Sequence, residues 1–492
     1  MSGRQDHHDV VVVGAGPAGL AAAVTAAARG SSVLLLDAGD RPGGQYWRHR
    51  PDDDGAGHHG WRTFTALRRA LRAHRARGRV TYRPGQQVWF VTRDGDGFLV
   101  EATPSHPGVA PLPGPARAGA LVLCPGGADR QLPVPGWTLP GVLAAGGAQA
   151  LLKGQGTVAG RRAVVAGTGP FLLPVAAGLA DAGVHVVGVW EANAPLGWAR
   201  HLPAVARVPA KVAEGAGYAA ALARHHIPYR TRTVVSEIVG TDRVRAVRRA
   251  TLDRSGVPRP SGGDEIPVDL VALGWGFTPA LELPLQLGVA TRVDVDGSLV
   301  AVVDDDQRTD VPGVHVAGEA TGVGGAALGV AEGTLAGLAV GRAPAPAGPV
   351  RRLRATVRAH RAFARAMHLS HPVPAGWARW LTDDTLLCRC EEVTCAAVRA
   401  AHDDLGADDA RTVKLLTRAG MGWCQGRVCG FATAALTAHL AGRRPDHTDL
   451  LANASRPLAA PVPLDQIARG PEPSAEGEPP PTDEDGAPDR EG

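Results

Sequence analysis

Four cysteines near the C-terminus have the type and spacing of ligands for an iron–sulfur cluster. Cys388 and Cys390 form a C-x-C pair, and Cys424 and Cys429 form a C-x4-C pair 33 residues further on. Four thiolates can hold a [2Fe-2S] cluster with two on each iron. Structural zinc is the alternative, but its cysteine pairs usually have a C-x2-4-C spacing. The tight first pair therefore favours the cluster.

The residues around the second pair suit the same role. Glycines at four nearby positions would let backbone amides turn toward the sulfurs: Gly420, Gly422, Gly426 and Gly430. Cys429 stands just before a run at 431–440 that we predict to be helical, and the positive end of that helix would favour the negative charge of a cluster. Cys395 falls inside another predicted helix, so we expect it to pack in the interior rather than bind metal.

A glycine-rich turn near the N-terminus predicts a dinucleotide site. Gly14, Gly16 and Gly19 form G-x-G-x-x-G between an all-Val strand and an Ala-rich helix that begins near Pro17, and Asp37 follows Gly14 by 23 residues. The three glycines permit a tight turn, approach of a pyrophosphate, and close packing of helix on strand. The phosphates would meet the positive end of the helix, and Asp37 would accept hydrogen bonds from ribose.

Two later segments favour FAD as the dinucleotide. The loop containing Gly44 and Gln45 follows the acid and could lie along the second half of an extended cofactor. Gly318 and Glu319 follow a short apolar strand, as in the element that holds the ribityl chain in flavoproteins with two dinucleotide folds, although Asp is commoner there. Gly325 then lies at the start of a predicted helix whose N-terminal amides would face the flavin ring.

A second strand–turn–helix–strand unit begins near residue 163. Gly167 and Gly169 stand at its turn and Glu191 at the end of its second strand, but Leu172 replaces the third glycine. Glu191 could accept a hydrogen bond from an unphosphorylated ribose, which predicts NAD or another adenine nucleotide. The alternative is a retained fold with an empty site. A redox disulfide near the flavin is excluded, because the only cysteine outside the C-terminal group is Cys124.

Composition excludes other classes of function. The net charge of +4 combines an acidic segment at 471–492 with an Arg-rich remainder, and Lys occurs only at 153, 211 and 414. The excess of Arg over Lys is typical of a biased genome composition rather than of a phosphate-binding surface. We therefore expect no nucleic-acid partner. No apolar run approaches the roughly 20 residues of a membrane span. The polar N-terminal residues predict no signal peptide, and we expect a cytoplasmic protein.

The elements that position these residues predict an α/β flavoprotein with two dinucleotide-binding domains. The expected divisions are an FAD-binding domain at 1–150 and 260–345, an inserted NAD-like domain at 151–259, a helical linker at 346–382, a small helical [2Fe-2S] domain at 383–455 and a disordered acidic Pro-rich tail at 456–492. No constellation for substrate oxidation is visible, so the catalytic residues stay unassigned.

The assembled motifs resemble the FAD-containing alpha subunits of bacterial amine and amino-acid dehydrogenases, of the opine oxidase, hydrogen cyanide synthase and hydroxyproline or sarcosine dehydrogenase types. The likeness is carried by the N-terminal fingerprint through Gly44-Gln45 and by 132–142, 274–279, 318–325, 388–393 and 420–429. The C-terminal module is similar to bacterioferritin-associated ferredoxin, but has C-x4-C where that protein has C-x2-C.

The resemblance implies a division of labour. A separate flavoprotein subunit similar to D-amino-acid oxidase would oxidise the amine, and this chain would pass the electrons through FAD and the cluster to an acceptor. The rival prediction is a self-sufficient NAD(P)H-dependent reductase of a ferredoxin or quinone. The substitution of Leu172 for glycine counts against the rival.

Overall fold

The computed structural model describes residues 7–468, which form an α/β architecture built on a mixed seven-stranded sheet, in which the three strands between residues 86 and 123 pair antiparallel, and a parallel five-stranded sheet. The strands are β1 His7–Val13, β2 Val33–Leu36, β3 Val80–Arg83, β4 Gln86–Asp94, β5 Gly97–Pro104, β6 Ala116–Leu123, β7 Gly127–Asp129, β8 Val142–Ala144, β9 Arg162–Gly167, β10 His185–Glu191, β11 Tyr229–Thr231, β12 Thr233–Gly240, β13 Val244–Leu252, β14 Pro258–Pro267, β15 Leu270–Gly274, β16 Phe277–Pro279, β17 Thr291–Val293, β18 Leu299–Ala301, β19 Val314–Val316, β20 Leu386–Cys388 and β21 Val393–Thr394. The α-helices are α1 Pro17–Ala28, α2 Trp61–Ala76, α3 Ala145–Gln155, α4 Leu172–Asp181, α5 Leu202–Ala206, α6 Pro209–Arg224, α7 Glu282–Gln286, α8 Ala326–Ala339, α9 Ala347–Ser370, α10 Cys395–Asp403, α11 Ala410–Thr417, α12 Gly430–Leu440, α13 His447–Ala454 and α14 Leu464–Ala468.

The first sheet brings the predicted FAD residues to one edge. Its parallel strands run in the order β3-β2-β1-β6, and β19 also pairs with β6 in parallel. The four valines at the end of β1 are all buried, as a strand covered on both faces requires. Because parallel strands end on the same side, Gly14 after β1, Asp37 after β2 and Gly318 after β19 share that edge.

The second sheet is larger than the sequence predicted. Its strands run in the order β11-β10-β9-β15-β8 and are parallel throughout. Strands β8 and β15 lie outside the predicted 151–259 boundaries, so those boundaries were too narrow at both ends. The sheet extends beyond these boundaries because β9 pairs with β15, a strand about a hundred residues later in the chain. Local sequence patterns do not reveal such a pairing. A separate antiparallel sheet, β12-β13-β14, lies within the same unit.

Helices α1 and α8 pack backbone against backbone across the first unit. A side-chain carbon on Gly333 would lie 2.0 Å from the Ala18 carbonyl oxygen, and one on Gly337 would lie 2.5 Å from the Ala22 carbonyl oxygen. Real side chains never come so close, so only glycine permits this separation of the helices. The contact fixes the start of α8 beside the first glycine turn.

The C-terminal helices pack onto both units instead of standing apart. One hydrophobic core joins Trp275 of the second unit to Trp380, Leu387 and Leu436. The packed chain also continues past the predicted domain end at 455: Arg456 pairs with Glu282 at 2.8 Å. Disorder from 456 was therefore predicted too early, while residues 469–492 lie outside the described part of the chain. In residues 7–468, no helix has both the length and the apolar character that crossing a membrane requires.

Candidate functional site

The first glycine turn has the shape of a pyrophosphate cradle. A side-chain carbon on Gly14 would lie 2.2 Å from the Cys124 carbonyl oxygen, and one on Gly19 would lie 1.7 Å from the Gly14 carbonyl oxygen. These two glycines therefore serve close packing. A carbon on Gly16 would meet only the Gly44 Cα, at 3.9 Å, so space remains in front of Gly16. This open face beside the N-terminus of α1 fits the phosphates of FAD.

Asp37 holds the turn from the end of β2. Its carboxylate accepts hydrogen bonds from the backbone N–H groups of Ala15 and Gly39, the latter at 2.6 Å. Burial raises the pKa of Asp37, although these two hydrogen bonds oppose the rise. The predicted contact with ribose stays a prediction, and the position of Asp37 beside Ala15 suits it.

Glu319 makes a contact that the sequence did not reveal. Its carboxylate accepts hydrogen bonds from the N–H groups of Gly324 at 3.2 Å and Gly325 at 2.9 Å. Burial raises the pKa of this carboxyl group. The first amides before α8 were expected to face the flavin ring, but the two at Gly324 and Gly325 are bound by Glu319. The longer side chain, compared with Asp, lets it reach back to them.

A second buried acid, Glu332, was missed by the sequence analysis. Only 1% of Glu332 is exposed, and its carboxylate accepts from the Gly318 N–H at 3.0 Å and from Arg361 Nε at 2.9 Å. Arg361 also donates to the Gly322 carbonyl at 2.6 Å. The two side chains thus tie α8 and α9 to the turn after β19. A signal existed, since Glu332 is the one charged residue in the apolar sequence of α8.

The acid of the second nucleotide fold is fully occupied by protein groups. Glu191 has no exposed surface. Its carboxylate accepts from the backbone N–H groups of Gly169 at 2.8 Å and Asn193 at 2.9 Å, and from the Thr168 hydroxyl at 3.2 Å. These protein donors compete for the oxygens that a ribose would need, and the ribose contact of Glu191 stays a prediction.

The segment after α9 covers this acid and its glycine turn. The His371 carbonyl accepts from Thr168 at 3.2 Å, and His371 Nδ1 lies 3.3 Å from Glu191 Oε2. Trp198 Nε1 contacts His371 Nε2 at 2.9 Å, which holds the ring in place. A side-chain carbon on Gly169 would meet His371 Cβ at 4.0 Å. His371 thus lies over the turn where the second nucleotide was predicted.

The structure brings together the four predicted cluster cysteines and leaves Cys395 apart. Hydrogen bonding from the Cys429 thiol lowers the pKa of Cys388 to about 6 and, with a further bond from Cys390, that of Cys424 to about 4. Burial instead raises the pKa of Cys395 to about 11, with no contribution from another cysteine. Cys388 and Cys429 are buried, and Cys390 is exposed.

The backbone amides of two of the four predicted glycines lie against these sulfurs. The N–H of Gly420 points to Cys388, and the N–H of Gly426 points to Cys424; each lowers the pKa of its thiol. Cys429 is the residue before α12, which begins at Gly430. Thiolates are the form that binds iron, so the lowered pKa values of Cys388 and Cys424 suit the predicted role, and the cluster itself stays a prediction. Within the described range of 7–468, no three or more His, Cys, Asp and Glu side chains are arranged to hold a metal ion.

A sequence profile of the pyridine nucleotide-disulphide oxidoreductases matches residues 8–341, which span the FAD unit and the second nucleotide fold. The chain belongs to this family. It is a flavin-dependent oxidoreductase, and the FAD predicted from the glycine turn is supported by this membership.

Two relatives match nearly the whole of this family member. Hydrogen cyanide synthase subunit HcnB of Pseudomonas aeruginosa is 33% identical over 431 residues, covering 85% of this chain and 90% of that one. An opine oxidase subunit of Agrobacterium tumefaciens is 34% identical over 450 residues, covering 86% and 84%. The predicted resemblance is confirmed.

A solved structure supports the fold. L-proline dehydrogenase of P. horikoshii superposes with a TM-score of 0.66 at 20% identity, covering 94% of this chain and 80% of that one. At this identity the likeness bears on the fold alone.

This member of the family lacks the cysteine pair that disulfide chemistry needs. Cys124 stands beside the flavin turn, where its backbone N–H donates to the Val13 carbonyl at 2.8 Å. Burial raises the pKa of its thiol well above the ordinary range, so it stays protonated. The other five cysteines all lie at or after Cys388. Cys124 therefore acts as a small packing residue.

Proposed function

We propose that this chain is the FAD- and [2Fe-2S]-containing electron-transfer subunit of an amine or amino-acid dehydrogenase. Substrates of the opine, D-amino-acid, hydroxyproline or glycine and sarcosine type would be oxidised on a separate D-amino-acid-oxidase-like flavoprotein subunit. Bound FAD links two-electron to one-electron chemistry, and a cluster carries single electrons to an acceptor. Both relatives described above are named as subunits of larger enzymes. We place the assembly in the cytoplasm.

The observation that carries this proposal is the meeting of Cys388, Cys390, Cys424 and Cys429 in a module that shares a core with the flavoprotein. The C-x-C pair at the end of β20 lies beside the N-terminus of α12. Sulfur atoms, backbone amides and the positive end of a helix dipole therefore meet at one place. All three stabilise the negative charge of a thiolate-bound cluster. Cys390 is exposed, which would place one edge of the cluster within reach of an electron-transfer partner.

The contacts of His371 argue against the alternative, an NAD(P)H-dependent reductase. Such an enzyme must hold a nicotinamide nucleotide on the second fold, where the acid and the glycine turn anchor ribose and pyrophosphate. Here Glu191 is bound by three protein donors and covered by His371. Entry of electrons from a partner subunit fits this arrangement better than entry from a nucleotide.

Metal analysis and EPR of cysteine variants test the cluster. Anaerobically purified protein should contain about one FAD and about two iron atoms per chain, the number that one [2Fe-2S] centre requires. Replacing Cys390 or Cys424 with Ser should abolish the EPR signal of the reduced protein, because each removes one of the four ligands. Cys395→Ala is the matched control and should keep the signal, since Cys395 is buried away from the other sulfurs. One zinc per chain without iron, or loss of the signal in the control, would refute the assignment.

A further inference from the structure

An ion pair on α6 lies close to Gly325 of the FAD unit and has no role in the sites described above. Lys211 Nζ is 2.7 Å from Glu214 Oε2, and 20% and 23% of the two side chains is exposed. Both are half-buried on a helix whose other face, including Val212, is exposed. The inward face of a helix is normally apolar, so a charged pair there calls for a charged or polar partner.

The pair lies near Gly325, at the helix start expected to face the flavin ring, and near Tyr46, which follows the loop expected along the second half of the cofactor. A side-chain carbon on Gly325, directly before α8, would lie 3.8 Å from Lys211 Nζ. Glu214 is also close to Tyr46, the residue that follows Gln45: burial raises the pKa of Tyr46, and the charge of Glu214 raises it further. Lys211 and Glu214 therefore reach from the second unit to both Gly325 and the 44–46 turn.

The other charged groups near Lys211 do not compete with Glu214 for its ammonium group. On α9, His360 faces it: burial lowers the pKa of His360, and the positive charge of Lys211 lowers it further, so His360 is neutral near pH 7. Arg361, on the same helix, is paired with Glu332 rather than with Glu214. Glu214 is thus the one carboxylate recorded within ion-pair distance of Lys211 among residues 7–468.

We propose that Lys211 is a flavin-facing residue whose ammonium group stabilises the negative charge of the reduced ring. Uptake of two electrons and one proton leaves one net negative charge on the N1–C2=O side of the ring, and a fixed cation there raises the reduction potential. Glu214 holds the ammonium in position, and Lys211 transfers no proton. The inference rests on FAD binding and not on the identity of the electron donor.

The test measures the flavin itself, without a partner or turnover. In holoprotein, Lys211→Met should lower the midpoint potential of FAD and weaken sulfite addition to the ring about tenfold or more, since that adduct also places negative charge near N1. Lys211→Arg keeps the charge and should keep most of both properties. Lys414→Met, which removes the lysine of α11, should change neither property.

Three outcomes would overturn the proposal. One is an unchanged potential and sulfite affinity in Lys211→Met at full FAD occupancy. Another is an equal change in Lys414→Met, which would indicate a general effect of charge. If Lys211→Met fails to retain FAD, Lys211→Arg must retain the cofactor with nearly unaltered potential, and its failure to do so also refutes the role. None of these results bears on the cluster or on the partner subunit.

Discussion

At the residue scale, the sequence pattern predicted the contacts of the glycines better than the contacts of the acidic residues. Gly14 and Gly19 occupy the tight contacts that their spacing indicated, because a turn between a buried strand and a helix leaves no space for a side chain. Glu191 has the predicted position at the end of its strand, yet His371, which comes 180 residues later, covers it. A local sequence pattern shows where an acidic residue lies along the chain, but it does not show which distant residues pack on it. Glu332 was missed for the same reason, since its partner Arg361 lies on another helix.

The open face of Gly16 gives a direct test of the FAD cradle. Gly16→Leu should prevent FAD retention, because the side chain would fill the space that the pyrophosphate needs. The protein should otherwise fold, since Gly16 has a φ of −73° that any residue can adopt and its side-chain direction is open. The measurement is the flavin content of purified protein, with circular dichroism to check folding.

Gly114→Leu is the control for this substitution. A side-chain carbon on Gly114 would meet nothing within 4 Å, and the residue lies in a loop outside both glycine turns. Its flavin content should equal that of the natural protein. Full flavin occupancy in Gly16→Leu would place the FAD elsewhere.

At the element scale, the order of strands and helices followed from the sequence, whereas their pairing did not. Runs of apolar residues predicted β1, β2, β9 and β10, and the alternation of these runs with helices predicted an α/β fold. The extension of the second sheet by β8 and β15 depends on pairing between distant segments. The contact of α8 on α1 likewise requires three-dimensional information, although the four-residue spacing of Gly329, Gly333 and Gly337 is visible in the sequence.

The contact between α1 and α8 predicts a large effect from a single methyl group. Gly333→Ala should destabilise the protein by roughly 2–4 kcal/mol, because overpacking forces two helix backbones apart. The same shift would move the start of α8 away from the flavin turn and weaken FAD retention. Thermal denaturation with and without added FAD measures both effects.

Gly348→Ala serves as the comparison on a neighbouring helix. Gly348 lies in the first turn of α9, and a side-chain carbon there would meet nothing within 4 Å. Alanine is the better helix former, so this variant should be as stable as the natural protein or slightly more so. Equal stability of Gly333→Ala and Gly348→Ala would contradict the close helix contact.

At the scale of the whole molecule, the second nucleotide fold packs against the C-terminal helices and its nucleotide turn is covered. Its core continues into Trp380 and Leu436 of the C-terminal helices, and its nucleotide turn is covered by His371. The sequence predicted an incomplete nucleotide-binding motif, because Leu172 replaces the third glycine, and it left open whether a nucleotide binds there. It could not reveal the closure, because the covering residues follow a linker helix. This arrangement agrees with the proposal that electrons enter from a partner subunit and leave through the cysteine module.

Stopped-flow reduction of the flavin tests this account most directly. The isolated holoprotein is mixed anaerobically with NADH or NADPH, and in parallel a dye-reduction assay is run with a secondary amine or amino acid and the D-amino-acid-oxidase-like partner. We expect slow or no bleaching by either nucleotide, because hydride transfer demands close alignment of donor and acceptor and the second fold is covered. We expect amine-dependent dye reduction only when the partner is present. Bleaching of the isolated chain at about ten per second or faster, the range of ordinary enzyme turnover, would contradict the account and identify an NAD(P)H reductase.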